Sequence, residues 1–226
     1  PGSAFGATLK AGIGTVRILL PDKLKKLVMS HFSHFQGPTL EIGFGLSNPS
    51  GGFGRQALAQ LLEAAQWADG VLLAGDFGHN SETAILLDSF MNKFEGQVTV
   101  AQDGLDYFWT PKSPLIERAN TLTVINLGQL QKLAKHNRPA TAVLHSMMLA
   151  DLVETLHDWT TGNPGQIITK HADNLIVASS GQVSTTPSPE ESNWQIELAA
   201  HAATWWLQQP QKPFEAITTA IFEYSK

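Results

Sequence analysis

Apolar residues along this chain fall into short runs that alternate with amphipathic stretches. Thr-Val-Arg-Ile-Leu-Leu at 15–20 reads as a strand stopped by Pro21, and 4–10 before it as a helix ended by Gly12 and Gly14. Residues 22–31 look like a second helix and 39–43 like a short strand. The stretch Ser-Asn-Pro-Ser-Gly-Gly-Phe-Gly at 47–54 reads as a flexible loop, followed over 55–68 by a helix with apolar residues at helical spacing. A strand at 71–74, a helix from 81 to about 94, and strands at 97–101 and 122–125 follow. Helices are expected over 127–136 and 140–159, broken near Pro139.

From Gly165 the pattern changes. Residues 166–169, 175–178 and 182–186 read as short strands, with turns at Asp173-Asn174 and Ser180-Gly181, which together make a meander. A polar loop at 186–193 leads to helices at 194–209 and 213–224, the last with Pro213 at its first position. Strands alternating with helices imply an α/β fold in three layers: a mainly parallel sheet, helices on both faces and the meander near one edge. No repeat and no linker divides the 226 residues, so the expectation is a single domain.

Composition narrows the function classes. A formal charge of -5 leaves no basic stripe to neutralise a nucleic-acid backbone. Without cysteine, disulfides, thiolate metal sites and thiol nucleophiles are excluded. No apolar run approaches the roughly 20 residues of a membrane span, and no secretory signal is visible, which makes the cytoplasm the default location. The first residue is Pro1 and not Met, so the sequence reads as a fragment or a processed product.

The chemistry concentrates in one stretch. The run Gly70-Val71-Leu72-Leu73-Ala74 ends in Gly75-Asp76-Phe77-Gly78-His79-Asn80, which opens a helix. Gly75 and Gly78 permit a sharp turn, Asn80 suits the N-cap and Glu82 the first turn. A loop of this kind at the carboxyl end of a strand is where open α/β sheets bind small molecules, so ligand binding is weighed against an ordinary strand-to-helix turn. Asp103 ends another strand and serves either a ligand or a turn. His31 and His34 have i, i+3 spacing without a third ligand, and read as a metal pair or as a polar helix end. Trp205-Trp206 reads as core or as the contact of a homo-oligomer, rather than as a base-stacking platform. A P-loop and a Gly-x-Ser-x-Gly elbow are both absent.

Taken in order, the segments resemble the ribokinase-like superfamily, and within it the nucleotide-dependent NAD(P)H-hydrate dehydratases. Leu9-Lys10-Ala11-Gly12-Ile13-Gly14-Thr15-Val16 is similar to that family's "LRAGAGLV", and Ala74-Gly75-Asp76-Phe77-Gly78 stands where it has "GPGLG". Val100-Ala101-Gln102-Asp103-Gly104-Leu105 resembles "LDADAL", and Ile125-Asn126-Leu127-Gly128-Gln129-Leu130 sits at "TPHPGE". Ile168-Thr169-Lys170-His171 is placed like "LKG", and Pro213-Phe214-Glu215-Ala216 matches "PFEA". The resemblance implies a substrate site at Gly75, Asp76, Gly78, Asp103, Asn126 and Gly128, with Lys170 and His171 beside the nucleotide. It also implies ADP or ATP, with Mg2+, as cofactor, and a first strand upstream of the first helix that this sequence lacks.

The family's chemical centre, "GGSGD", holds the transferring phosphate on glycine amides and uses the aspartate as base. The gapless match here is Trp194-Gln195-Ile196-Glu197, which keeps only the carboxylate of Glu197. The family's histidine and glutamate become Asn126 and Gln129, which hydrogen-bond but do no acid–base work. Three readings follow: a hydrate dehydratase with degraded motifs and Glu197 as base, a catalytically silent nucleotide- or dinucleotide-binding relative, or a small-molecule (carbohydrate) kinase. Taken by themselves, Glu197 reads first as a solvated helix carboxylate and Lys170 as a surface strand lysine, ahead of their roles as base and nucleotide contact.

Overall fold

The computed structural model describes residues 1–32, 39–188 and 194–225. Its elements run α1 (Gly2–Lys10), β1 (Val16–Pro21), α2 (Lys25–Phe32), β2 (Leu40–Gly45), α3 (Leu58–Trp67), β3 (Gly70–Leu73), α4 (Ser81–Lys93), β4 (Gln97–Ala101), α5 (Pro114–Glu117), β5 (Thr121–Asn126), α6 (Leu127–Asn137), α7 (Leu149–Thr161), β6 (Gln166–His171), β7 (Asn174–Ser179), β8 (Gln182–Pro187), α8 (Trp194–Gln208) and α9 (Pro213–Tyr224). Short 3-10 turns precede α2 and α3 and fill 102–107.

Six strands form one sheet in the order β3-β4-β5-β6-β7-β8, and β1 and β2 form a separate parallel pair. The pairs from β3 to β6 are parallel, and β6, β7 and β8 make the antiparallel meander expected from the turn residues. Alternation along each strand feeds two cores. On one face Val98, Val100, Ile125, Ile167 and Ile176 meet Leu87, Phe90, Leu130, Leu133 and Leu156 of α4, α6 and α7. On the other, Leu122, Val124, Ile168, Leu175 and Val177 meet Leu198, Ala202, Trp206, Ile217 and Ile221 of α8 and α9. Strands covered on both faces are apolar at successive positions, which is why they read as short unbroken runs in the sequence. Each fully buried Leu or Ile contributes about 1.5–3 kcal/mol against the cost of ordering the chain.

Two sequence expectations change. The helix expected over 140–159 begins only at Leu149. Arg138 ends α6 in the left-handed region (φ 42) ahead of Pro139, and the Gln131 side chain donates to the carbonyl of Val143, a local bond that replaces a helical one. The sheet is also divided where a continuous one was expected, since β1 and β3 are not hydrogen-bonded neighbours. Trp206 is core, while Trp205 lies half-buried beside it. His34 lies outside the described residues.

Candidate functional site

The carboxyl ends of β3, β4, β5 and β6 lie side by side and bring most of the expected residues to one edge. Register pairs Leu73 with Val100, Ala101 with Val124 and Asn126 with Lys170. The site therefore runs from the 75–78 loop through Asp103 to Asn126 and Gly128, and on to Lys170 and His171 at the end of β6.

The loop after β3 is shaped by its glycines, with φ of 94° at Gly75 and 85° at Gly78. Asp76 is exposed, and its Oδ1 accepts the amide of Gly78 at 2.7 Å, so the loop turns back on its own carboxylate. A backbone N–H that an anion would need is thereby already bonded. Asn80 caps α4: its Oδ1 accepts the amide of Thr83 at 2.9 Å. Phe77 and His79 pack on Tyr107, whose hydroxyl is held above its ordinary pKa of 10.0, mainly by burial and further by the charge of Asp76. The 47–54 loop closes against the same turn, where the buried Thr83 hydroxyl donates to the carbonyl of Phe53 at 3.0 Å.

Asp103 is exposed in the first turn of the 3-10 segment, where its charge suits the helix start. Asn126 and Gln129 form a reciprocal capping box at α6: the Gln129 amide donates to Asn126 Oδ1 at 2.9 Å, and the Asn126 amide to Gln129 Oε1 at 3.1 Å. The same Gln129 Oε1 accepts Nε2 of Gln195 at 2.8 Å, and that Nε2 also reaches the carbonyl of Val124 at 3.3 Å. The amino end of α8 is thus tied to β5 and α6 by neutral amides. Sequence reasoning noted Gln129 and Gln195 only as departures from a motif. Their i, i+3 relation to Asn126 in one case and their place at a helix start in the other are the signals that anticipate these bonds.

Glu197 is half-exposed in the first turn of α8. It stands two residues beyond Gln195, about 200° further round the helix, so the carboxylate does not share the direction in which Gln195 reaches Gln129. Lys170 and His171 are half-exposed at the end of β6, where Ala172 (φ 48) begins the turn into β7. Two concavities among the described residues lie elsewhere: one of about 270 Å³ between Arg55 and Leu86, and one of about 360 Å³ between β8 and α9.

These residues do not fit a transferring phosphate with its metal. Trp194 and Gln195 carry side chains at the α8 start, and Gln195 is bonded back to Gln129. Among the described residues no group of three or more His, Asp or Glu is placed to hold a cation.

No protein-family model and no curated protein matches the chain. Solved structures do. A ribokinase-like superfamily protein from Enterococcus faecalis V583 matches at TM-score 0.69 and 12% identity, over 99% of this chain and 71% of that one. A hypothetical protein from Streptococcus mutans matches at 0.71 and 14%, over 99% and 74%. Bacillus subtilis YxkO, of the UPF0031 family, matches at 0.65 and 13%, over 100% and 76%. The fold is the ribokinase-like one, with helices on both faces of a mostly parallel sheet. Among the described residues no helix is long and apolar enough to cross a membrane.

Proposed function

We propose that this protein is a divergent relative of the nucleotide-dependent NAD(P)H-hydrate dehydratases that binds a nucleotide or dinucleotide without transferring phosphate. The observation that carries this reading is the Gln195–Gln129–Asn126 amide network at the carboxyl end of the sheet. The exposed Asn126 keeps its Nδ2 outside those bonds, so a carboxamide or ribose oxygen of a nicotinamide nucleotide would accept from it. The amides have no proton to exchange near neutral pH, and a neutral network cannot balance a transferring phosphoryl group. Asp76 adds a negative charge to the 75–78 loop and already occupies the Gly78 amide. Gly75, Gly78, Asp103 and Gly128 would line the ligand's path, with Lys170 and His171 at its far side.

The second reading keeps an active enzyme with Glu197 as base and ADP or ATP as cosubstrate. Its support is that Glu197 lies in the first turn of α8, at the site's edge. In that reaction the nucleotide would phosphorylate the hydrate's hydroxyl and orthophosphate would leave. Melting the protein with NAD, NADPH, ATP, ADP and AMP tests binding, since a ligand selective for the folded state raises the apparent Tm. A rise with NAD or NADPH is expected, and no rise with any of the five overturns both readings. Loss of NADPH-hydrate absorbance on adding ATP or ADP, abolished by Glu197→Gln, would favour the enzyme.

A further inference from the structure

The loop after β3 carries a side chain that its own backbone disfavours. His79 sits at φ 40, in the left-handed region that glycine enters without steric strain, directly after Gly78 at φ 85. A glycine would close this turn with less strain, so the turn alone does not account for an imidazole. The setting of the ring does. It lies flat beside Tyr107, with centroids 6.5 Å apart and 17° between the planes, and His79 is exposed, so its outer face is open.

Tyr107 is fixed from beneath. Phe77 meets it edge-on at 6.1 Å and 85°, and both rings pack on the core under the loop. Gly104 lets these parts come close, because a Cβ there would lie 2.9 Å from the Leu73 carbonyl oxygen and 3.4 Å from the Phe77 ring. The backbone of His79 and Asn80 approaches the buried Tyr107 hydroxyl without hydrogen-bond geometry. The phenol therefore acts as a plate behind His79, not as a polar contact.

The stack also stands in negative potential. Asp76 is exposed three residues before His79, and Asp106 directly precedes Tyr107. After burial, these two carboxylates are what raise the pKa of the Tyr107 hydroxyl, and neither 70–84 nor 100–109 contains a Lys or Arg. A phosphate is repelled there, and a neutral ring gains contact alone. A flat ring with a positive charge gains contact and attraction together.

We propose that the open face of His79 receives the cationic nicotinamide ring of an oxidised nicotinamide nucleotide, with Asp76 selecting for its charge. This rests on the nucleotide-binding reading and names the part of the ligand that the 75–79 loop takes. The ring stacks on the imidazole, the Asp76 carboxylate offsets its charge, and the phosphates lie away from the loop. Reduction of the ring removes the charge, so the reduced coenzyme binds less tightly.

Calorimetric titration with NAD+ and NADH tests this, together with proton NMR of the bound coenzyme. NAD+ should bind at least about fivefold more tightly than NADH, as for one charge contact near about 4 Å in water. Its nicotinamide protons, and not its adenine protons, should show cross-relaxation with the His79 ring. Asp76→Asn keeps an acceptor for the Gly78 amide while removing the charge, and should bring the two coenzymes within about twofold. His79→Asn keeps a residue that tolerates the left-handed turn while removing the ring, and should weaken NAD+ at least about fivefold. Equal binding of NAD+ and NADH by the unaltered protein overturns the proposal, as do adenine protons beside His79. So does a preference for NAD+ that survives Asp76→Asn, or undiminished binding by His79→Asn. Those results leave the nucleotide reading standing, whereas no binding of any nucleotide removes both. The preference and the His79 contacts of the unaltered protein decide the matter even where a variant fails to fold.

Discussion

The two ends of the central sheet are built from opposite chemistry. At the amino ends of β4 and β5, Arg118 sends its guanidinium to the carbonyls of Phe94, Gly96 and Asn120 and to the Thr121 hydroxyl, with burial holding its pKa below the ordinary guanidinium value. At the carboxyl ends the ties are neutral: Asn126, Gln129 and Gln195, closed on one another and on the Val124 carbonyl. A half-buried cation fastens the loops at the amino ends. Amides stand at the carboxyl ends, where the ligand is proposed to bind. A residue's formal charge therefore says little about function until its partners are known, and here a strong cation is structural.

The comparison can be broken most forcefully at Arg118. Arg118→Met should cost about 2–4 kcal/mol, because charge-assisted bonds are lost and their carbonyl acceptors are left short of partners. Urea unfolding should show this, with ligand-induced shifts in Tm preserved. Gln129→Ala removes the side-chain half of the capping box and the tie to Gln195 together, leaving the residue 129 amide on Asn126 Oδ1, and should cost about 1–2 kcal/mol, and it should also weaken any nicotinamide-nucleotide shift. A cost without a loss of binding would make the carboxyl end structural as well.

A smaller effect belongs to pH. His201, buried against Trp205 and Tyr224, has its pKa lowered from the ordinary 6.5 chiefly by desolvation, while the Ala7 backbone and Glu223 push it up and Lys10 down. The unfolded chain then binds a proton more readily than the folded one. Stability should be complete above pH 6.5 and decline as pH falls below it, and His201→Phe should flatten that slope in thermal melts. The smallest change is expected at Glu197→Gln, within about 0.5 kcal/mol in stability, as for a surface carboxylate.

Much of the fold was legible because alternation and turn residues agree. The meander follows from Asn174 and from the Ser180-Gly181 turn, and α4 from its Asn80 cap. The division of the sheet between β1 and β3 is not written in their own residues, which carry ordinary strand patterns whether or not they have neighbours. The late start of α7 was hidden because Val143 and Leu144 continue an apolar spacing that only the Gln131 bond interrupts. Within the candidate site, Asn126 and Lys170 could be placed by their strands. The Gln195–Gln129 tie spans 66 positions and needs the packed fold to exist. The surroundings of His201 cannot be read locally, because its aromatic neighbour Tyr224 comes from another helix.

The proposed function stands or falls on whether the carboxyl end of the sheet binds without transferring phosphate. Phosphorus NMR of the protein with NADPH hydrate and either ATP or ADP tests it directly. The expected result is that the ATP or ADP signals keep their total intensity, with no orthophosphate above the protein-free control. Orthophosphate released in step with disappearance of the hydrate, and lost in Glu197→Gln, would contradict it.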